Sequence, residues 1–304
     1  MKRFLLHSVV FLSLLAIPVF WLFSQADGHT DPFYLRFTSA EQQSLILGTS
    51  RAAQGIRPDV LNRQFPEANF YNYSFTIAHS PYGPTYFESI QKKLDPDTRN
   101  GVFILSVDPW SISSKAQDPN NEEDFFENER ALANTPWVSQ KPNIPYLLQN
   151  FDGSYYELLE EKTEMFLHDD GWLEVTVKML PRIVRSRVRR KVKSYNKHAE
   201  DYQFSQVRLD YLNKIISYLQ ERGEVYLVRL PVSREVMDIE ERFMDDFNRK
   251  MKKLAQQGEI PYLDLTSENH IHHYTDGNHL YKESATEVSE QIGYWIQGLK
   301  DVKP

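Results

Sequence analysis

At 304 residues the chain is long enough for one large domain or two small ones, and it can bury a core without disulfide or metal staples. Apolar residues make up 41%, charged residues 25% and aromatics 13%, a globular composition that excludes a disordered tail. Lys and Arg number 35 against 42 Asp and Glu, so the net charge of −7 argues against a nucleic-acid partner. The absence of cysteine excludes thiol nucleophiles, Cys-ligated metals and disulfides, and leaves an oxidising compartment open.

The first element is apolar. Phe4 to Phe23 holds no Asp, Glu, Lys or Arg, and at ~1.5 Å per residue it matches the ~30 Å of bilayer hydrocarbon. Lys2 and Arg3 ahead of it, with Asp27 and Asp31 behind, favour an N-inside orientation that puts the rest of the chain outside the cytoplasm. The expected segment 1–26 is therefore a signal anchor in a plasma or inner membrane. A cleaved signal peptide ending at Ser24-Gln25-Ala26 is the alternative, against which the apolar run is long.

From about residue 40 strands and helices alternate. Ser44–Gly48 reads as a buried strand, Asn69–Tyr73 as a second, Pro84–Leu94 as a helix stopped by Asp95-Pro96, and Gly101–Val107 as a central strand ending at Asp108-Pro109. Gln206–Arg222 carries an apolar stripe and is closed by Gly223; strand Val225–Val228 follows. Arg234–Gln257 reads as one amphipathic helix, Pro261–Leu265 as a strand, and the last helix carries Val288, Ile292, Trp295, Ile296 and Leu299. Such alternation predicts an α/β fold, a three-layer α/β/α sandwich on a mostly parallel sheet, with the ligand crevice at the carboxyl ends of the strands.

Residues 114–204 break the rhythm and read as an insertion within a domain spanning 40–304. Lys178–Lys197 holds nine basic residues; it is read first as a solvated helical face, with anionic lipid or an acidic glycan as the functional alternatives. Trp110, Trp137, Tyr155, Tyr156 and Trp172 are expected in the core.

The chemistry concentrates at two places. Ser50, in Gly48-Thr49-Ser50-Arg51, stands just past the first strand, where backbone N–H groups of the next turn can face an oxyanion. Asp276 and His279, in Asp276-Gly277-Asn278-His279, share one turn before the last helix, so His279 can serve as base with Asp276 orienting it. Ser50, His279 and Asp276 are the candidate triad. His270, His272 and His273 lack the spacing that aligns two metal ligands, and no metal is expected.

Gly48-Thr49-Ser50-Arg51-Ala52 departs from the G-x-S-x-G elbow at Ala52, and its serine follows the first strand, too early for an α/β-hydrolase. The order resembles instead the SGNH hydrolase (GDSL-like) superfamily, in which the serine ends the first strand and a D-x-x-H motif lies near the C-terminus. Thr49 replaces that family's Asp, as in looser relatives that act on cell-surface polysaccharides. The likeness covers about 40–113 and 205–300.

The resemblance implies a flavodoxin-like sheet and a cofactor-free serine esterase or O-acyltransferase acting on envelope or exported polysaccharide, or on an acylated small molecule. It also implies work beside a multi-pass membrane acyltransferase. The family's second-block Gly would fall at Ser74, and its third-block Asn at Asp108, which as a carboxylate donates no hydrogen bond. Ser74, Asn72, Asp108 and Arg51 are thus the candidate oxyanion or substrate contacts. The rival reading is a weakly active or inactive glycan-binding or assembly protein on the same fold.

Overall fold

The computed structural model describes residues 1–162 and 164–302. Its centre is a five-stranded parallel sheet of β1 (Ser44–Leu47), β2 (Phe70–Asn72), β3 (Gly101–Ser106), β4 (Gly223–Arg229) and β5 (Tyr262–Asp264), in the order β2-β1-β3-β4-β5. In this order the chain leaves β1 towards one edge and returns on its other side at β3. The carboxyl ends of β1 and β3 therefore flank the point where ligands bind in open α/β sheets.

Strand residues alternate between two apolar clusters because successive side chains point to opposite faces. Leu45, Leu47, Phe103, Leu105, Val225 and Leu227 share one cluster with the helices Pro84–Lys93, Gln206–Gln220 and Phe247–Gln257. Ile46, Ile104, Tyr226 and Val228 share the other with Ser50–Gly55, Pro58–Gln64 and Lys282–Val302. Alternate residues of each strand thus join different sets of helices, in keeping with parallel strands whose sequences are apolar throughout.

The stretch read as one helix over Arg234–Gln257 is two, Arg234–Phe243 and Phe247–Gln257. Met244 leaves the helix at φ −147°, ψ 78°, and this bend sends the two apolar faces to different partners. Phe243 stacks on Trp110 at 4.5 Å with an interplanar angle of 11°, whereas Phe247, Met251 and Leu254 pack on the sheet. The period-3.6 pattern runs unbroken across the bend, so periodicity alone could not reveal it.

Two-residue strands at Ser113–Ser114 and Gln203–Phe204 pair antiparallel and bring the ends of the intervening segment together. That segment contains a hairpin (Met165–Leu167 with Leu173–Val175) and a basic helix, Pro181–Asp201. Trp110 and Trp172 are buried as expected, but Trp137, Tyr155 and Tyr156 are exposed. Among the described residues one helix, Lys2–Phe23, is long and apolar enough to cross a membrane, by a measure that signal sequences also meet.

Candidate active site

β1 ends at Leu47, and Gly48 turns the chain at φ +145°, a conformation open to glycine and strained for other residues. A Cβ there would stand 2.9 Å from the Ser106 Cβ and carbonyl oxygen of β3. Thr49 follows in extended conformation and Ser50 opens the helix Ser50–Gly55, so its N–H has no carbonyl of its own helix to bond. The hydroxyl of Thr49 donates to Asp108 Oδ2 at 3.0 Å, tying the end of β1 to that of β3.

The second motif is a clamped loop. Tyr274 and Leu280 form an antiparallel bridge, and Thr275 N–H donates to the His279 carbonyl at 2.9 Å. Gly277 takes φ +88° at the tip. This lets Asp276 Oδ1 accept from the backbone N–H groups of Asn278 and His279, each at 3.0 Å. The same carboxylate accepts from the His279 ring, Nδ1 lying 3.0 Å from Oδ2. A carboxylate can only accept, so Nδ1 carries the proton and Nε2 is left as an acceptor.

His279 Nε2 lies 2.9 Å from Ser50 Oγ, across 229 residues of sequence. Ser50, His279 and Asp276 thus come together in hydrogen-bonding order, hydroxyl to imidazole to carboxylate, an arrangement that can make a serine hydroxyl reactive. The serine faces a cavity of about 350 Å3 whose walls include Phe33, Phe75, Met165 and Tyr195.

Three neighbours of this set have no signal in the local sequence. Lys191, on the basic helix, donates to Asp276 Oδ2 at 3.0 Å. Burial opposes charge on Asp276, but His279 and then Lys191 outweigh it and hold its carboxyl well below the usual carboxylate range. Asn278 donates from Nδ2 to His279 Nε2 at 3.0 Å and accepts from Arg51 Nε at 2.9 Å. Glu240 then anchors Arg51, and it also accepts from Arg229 Nη2 at 3.0 Å and Trp110 Nε1 at 2.8 Å. Burial disfavours the Arg51 charge, yet Glu240 and Asp108 more than offset this and keep it firmly protonated.

The other candidate contacts are engaged elsewhere. Asn72 spends both amide hydrogens on the carbonyls of Ala52 at 2.8 Å and Ile56 at 2.9 Å, which fixes the helix behind Ser50. Ser74 donates its N–H to Asn72 Oδ1 and its hydroxyl to the Ile46 carbonyl, both at 3.2 Å. Asp108 is fully buried, caps the turn Pro109–Ile112 through Ser111 N–H at 2.9 Å, and burial raises its carboxyl pKa against the pull of Arg51. Arg51 is buried in the Asn278–Glu240 chain, away from the cavity. Asn72, Ser74 and Asp108 therefore hold the loops around Ser50, and the N–H of Ser50 itself, at the start of its helix, has no partner within that helix.

Among the described residues no three His, Asp or Glu side chains converge as a metal site. His272 is buried with Nδ1 3.6 Å from Glu287, and His273 N–H bonds the Ser284 hydroxyl at 2.9 Å. No protein-family model matches the chain, and no curated protein matches it in sequence.

Proposed function

We infer that the protein is a membrane-anchored serine esterase or O-acyltransferase of SGNH type, its domain an extracytoplasmic three-layer α/β/α sandwich. Its substrates would be the acyl esters of an envelope or exported polysaccharide, or of an acylated small molecule. The observation that carries this is the Ser50 Oγ–His279 Nε2–Asp276 relay with contacts of 2.9 and 3.0 Å beside a cavity. A binding protein has no need of nucleophile, base and orienting carboxylate in series.

In this reading Ser50 Oγ attacks the acyl carbonyl as its proton passes to His279 Nε2. The tetrahedral oxyanion is met by backbone N–H groups at the start of Ser50–Gly55, and the departing alkoxide takes the proton from Nε2, leaving an acyl-serine. Water or a sugar hydroxyl then gives its proton to Nε2 and attacks the acyl carbon, and Ser50 leaves with that proton. Asp276 holds Nδ1–H throughout and stabilises the imidazolium. Retention of the span is supported by Phe23 and Ala26, which lie buried against the domain on either side of the Ser24-Gln25 pair. Resemblance to the same superfamily supports a membrane acyltransferase as partner.

The test is fluorophosphonate labelling of the full chain in detergent, with Ser50→Ala and His279→Ala, alongside turnover of p-nitrophenyl acetate. Labelling of the wild type that disappears in both variants is expected. A folded wild type that neither labels nor turns over refutes catalysis. It would favour the second reading, a glycan-binding or assembly protein, for which the engaged donors of Asn72 and Ser74 speak.

A further inference from the structure

The insertion carries an apolar face that the catalytic reading does not use. Beyond the span, nine large apolar side chains stand exposed among the described residues, and six of them fall between residues 137 and 165. Trp137 is 54% exposed, Leu148 60%, Tyr156 64% and Leu159 56%, and Tyr155 and Met165 join them. A soluble surface scatters such residues singly, whereas a concentration of them marks an interaction site.

Five of the six are carried by backbone stretches that are tied to one another. Asn143, which caps the helix Ile144–Gln149 bearing Leu148, donates to the Trp137 carbonyl at 2.8 Å. Tyr155, in the turn Tyr155–Leu159, donates to the Leu147 carbonyl at 3.4 Å. The ring of Phe23, last residue of the apolar helix, packs on the Tyr155 ring at 5.2 Å. One of the six, Tyr155, therefore touches the end of the span.

The junction is also stiff. Leu167 N–H bonds the Gly28 carbonyl at 3.0 Å, Lys162 Nζ bonds the Thr30 carbonyl at 2.8 Å, and Tyr146 donates to Asp31 Oδ2 at 2.9 Å. Gly28, Thr30 and Asp31 are thus tied to residues of the 146–167 stretch within a few residues of the end of the span.

We propose that residues 137–159, together with Met165, form a collar that seats in the headgroup region of the bilayer around the exit of the Lys2–Phe23 span, fixing the domain's orientation on the membrane. Tryptophan and tyrosine favour that depth because their rings are apolar at one end and hydrogen-bond at the other. The exposed carboxylates Glu160 and Glu161 beside Leu159 select a zwitterionic surface over an anionic one. Pro32, Phe33 and Met165, from the stretch leaving the span and from the collar, also line the cavity of Ser50, so the seated domain holds that cavity close to the lipid surface.

The cysteine-free chain allows a direct test. Single changes Leu148→Cys, Tyr156→Cys and Leu159→Cys in the full chain, with Ile271→Cys and Tyr294→Cys as exposed positions outside the collar, are labelled with a nitrobenzoxadiazole dye. They are then reconstituted into phosphatidylcholine vesicles, the intact mass confirming that the span is retained. Blue-shifted emission and quenching by spin-labelled lipid at the three collar positions, with neither at 271 and 294, is the expected result. Collar positions as water-exposed as the controls overturn the proposal, as does a signal that follows protein-to-lipid ratio and ignores the lipid quencher, which marks a second copy instead. Adding Leu148→Asp to Tyr156→Cys should at least halve its quenching while leaving fluorophosphonate labelling of Ser50 at the wild-type level. Unchanged quenching there also counts against the collar.

Discussion

Replacing Glu240 by glutamine keeps the side-chain volume and removes the one negative charge shared by two buried arginines, Arg51 and Arg229. Its carboxylate accepts from both guanidinium groups and from Trp110 Nε1, whereas the amide has one accepting oxygen and turns hydrogens towards a donor. Breaking a buried pair by removing one partner costs about 3–5 kcal/mol because the remaining charge is stranded. Asp108 still acts on Arg51, which places the expected loss near ~3 kcal/mol. At ~2–4 °C per kcal/mol for a domain of this class, the thermal midpoint should fall by about 6–12 °C. Circular dichroism in detergent at neutral pH reads this, with Glu241→Gln as the control: Glu241 is half-exposed, 3.7 Å from Arg234, and should move stability by less than ~0.5 kcal/mol. Fluorophosphonate labelling of Ser50 should slow as well, because Arg51 loses the anchor from which it holds Asn278 against His279. A midpoint within about 2 °C of wild type would refute the idea that charge pairing locks this cluster.

Gly48→Ala should destabilise by about 1–3 kcal/mol and abolish labelling of Ser50, since φ +145° is strained for alanine and its Cβ would press on Ser106 of β3; an unchanged denaturant midpoint would contradict this. Burial pushes the Lys93 ammonium down to about 7, while unfolded lysine titrates near ~10.4. The unfolded chain therefore holds more protons across that window, and stability should rise with pH from about 7 to about 10.4, a rise that Lys93→Met flattens in urea titrations. The lowered Asp276 carboxyl gives stability that is present above the ordinary carboxylate range and is lost as pH falls through its native value. Lys191→Met should move that acid loss to higher pH in acid-unfolding curves, and coincident curves would remove Lys191 from the account. Reversing charge at Arg185, Arg189 and Lys193, which line a groove of about 880 Å3, should weaken binding of an anionic polysaccharide in a salt-dependent way, whereas binding equal to wild type at low salt would leave these residues a solvated face.

What the sequence makes legible depends on the range over which each feature is specified. Each β-strand is a short apolar run, and the Ser50 and Asp276–His279 motifs each occupy a single turn, so their types can be read from a few neighbours. Their convergence across 229 residues needed only the α/β alternation, which puts strand ends on one side of a sheet. Glu240 and Lys191 gave no such signal. One lies within an unbroken amphipathic pattern and the other within a run of nine cations, and both acquire meaning only when their helices bring them to Arg51 and Asp276. Asn72 and Ser74 stood at the right distance from Ser50 in the chain, yet a side chain's free donors can be counted only after its neighbours' carbonyls are placed. The exposed Trp137, Tyr155 and Tyr156 were hidden for a related reason: composition says that aromatics are large and apolar, not which of them the fold leaves uncovered.

The pairing of β3 with β4 carries a consequence for how the chain is made. Gly101–Ser106 finds its partner in Gly223–Arg229, more than a hundred residues later, and residues 107–222 emerge between them. At ~5–20 residues per second of synthesis, the central strand waits on the order of ten seconds with one edge unpaired. During that interval β1, β2 and β3 expose an apolar, aggregation-prone edge, and loop-closure entropy favours local, non-native partners over the distant one. Biogenesis of this protein should therefore depend on holdase chaperones more than its finished architecture suggests, and codon changes that slow translation between residues 107 and 222 should lower yield without altering the folded product.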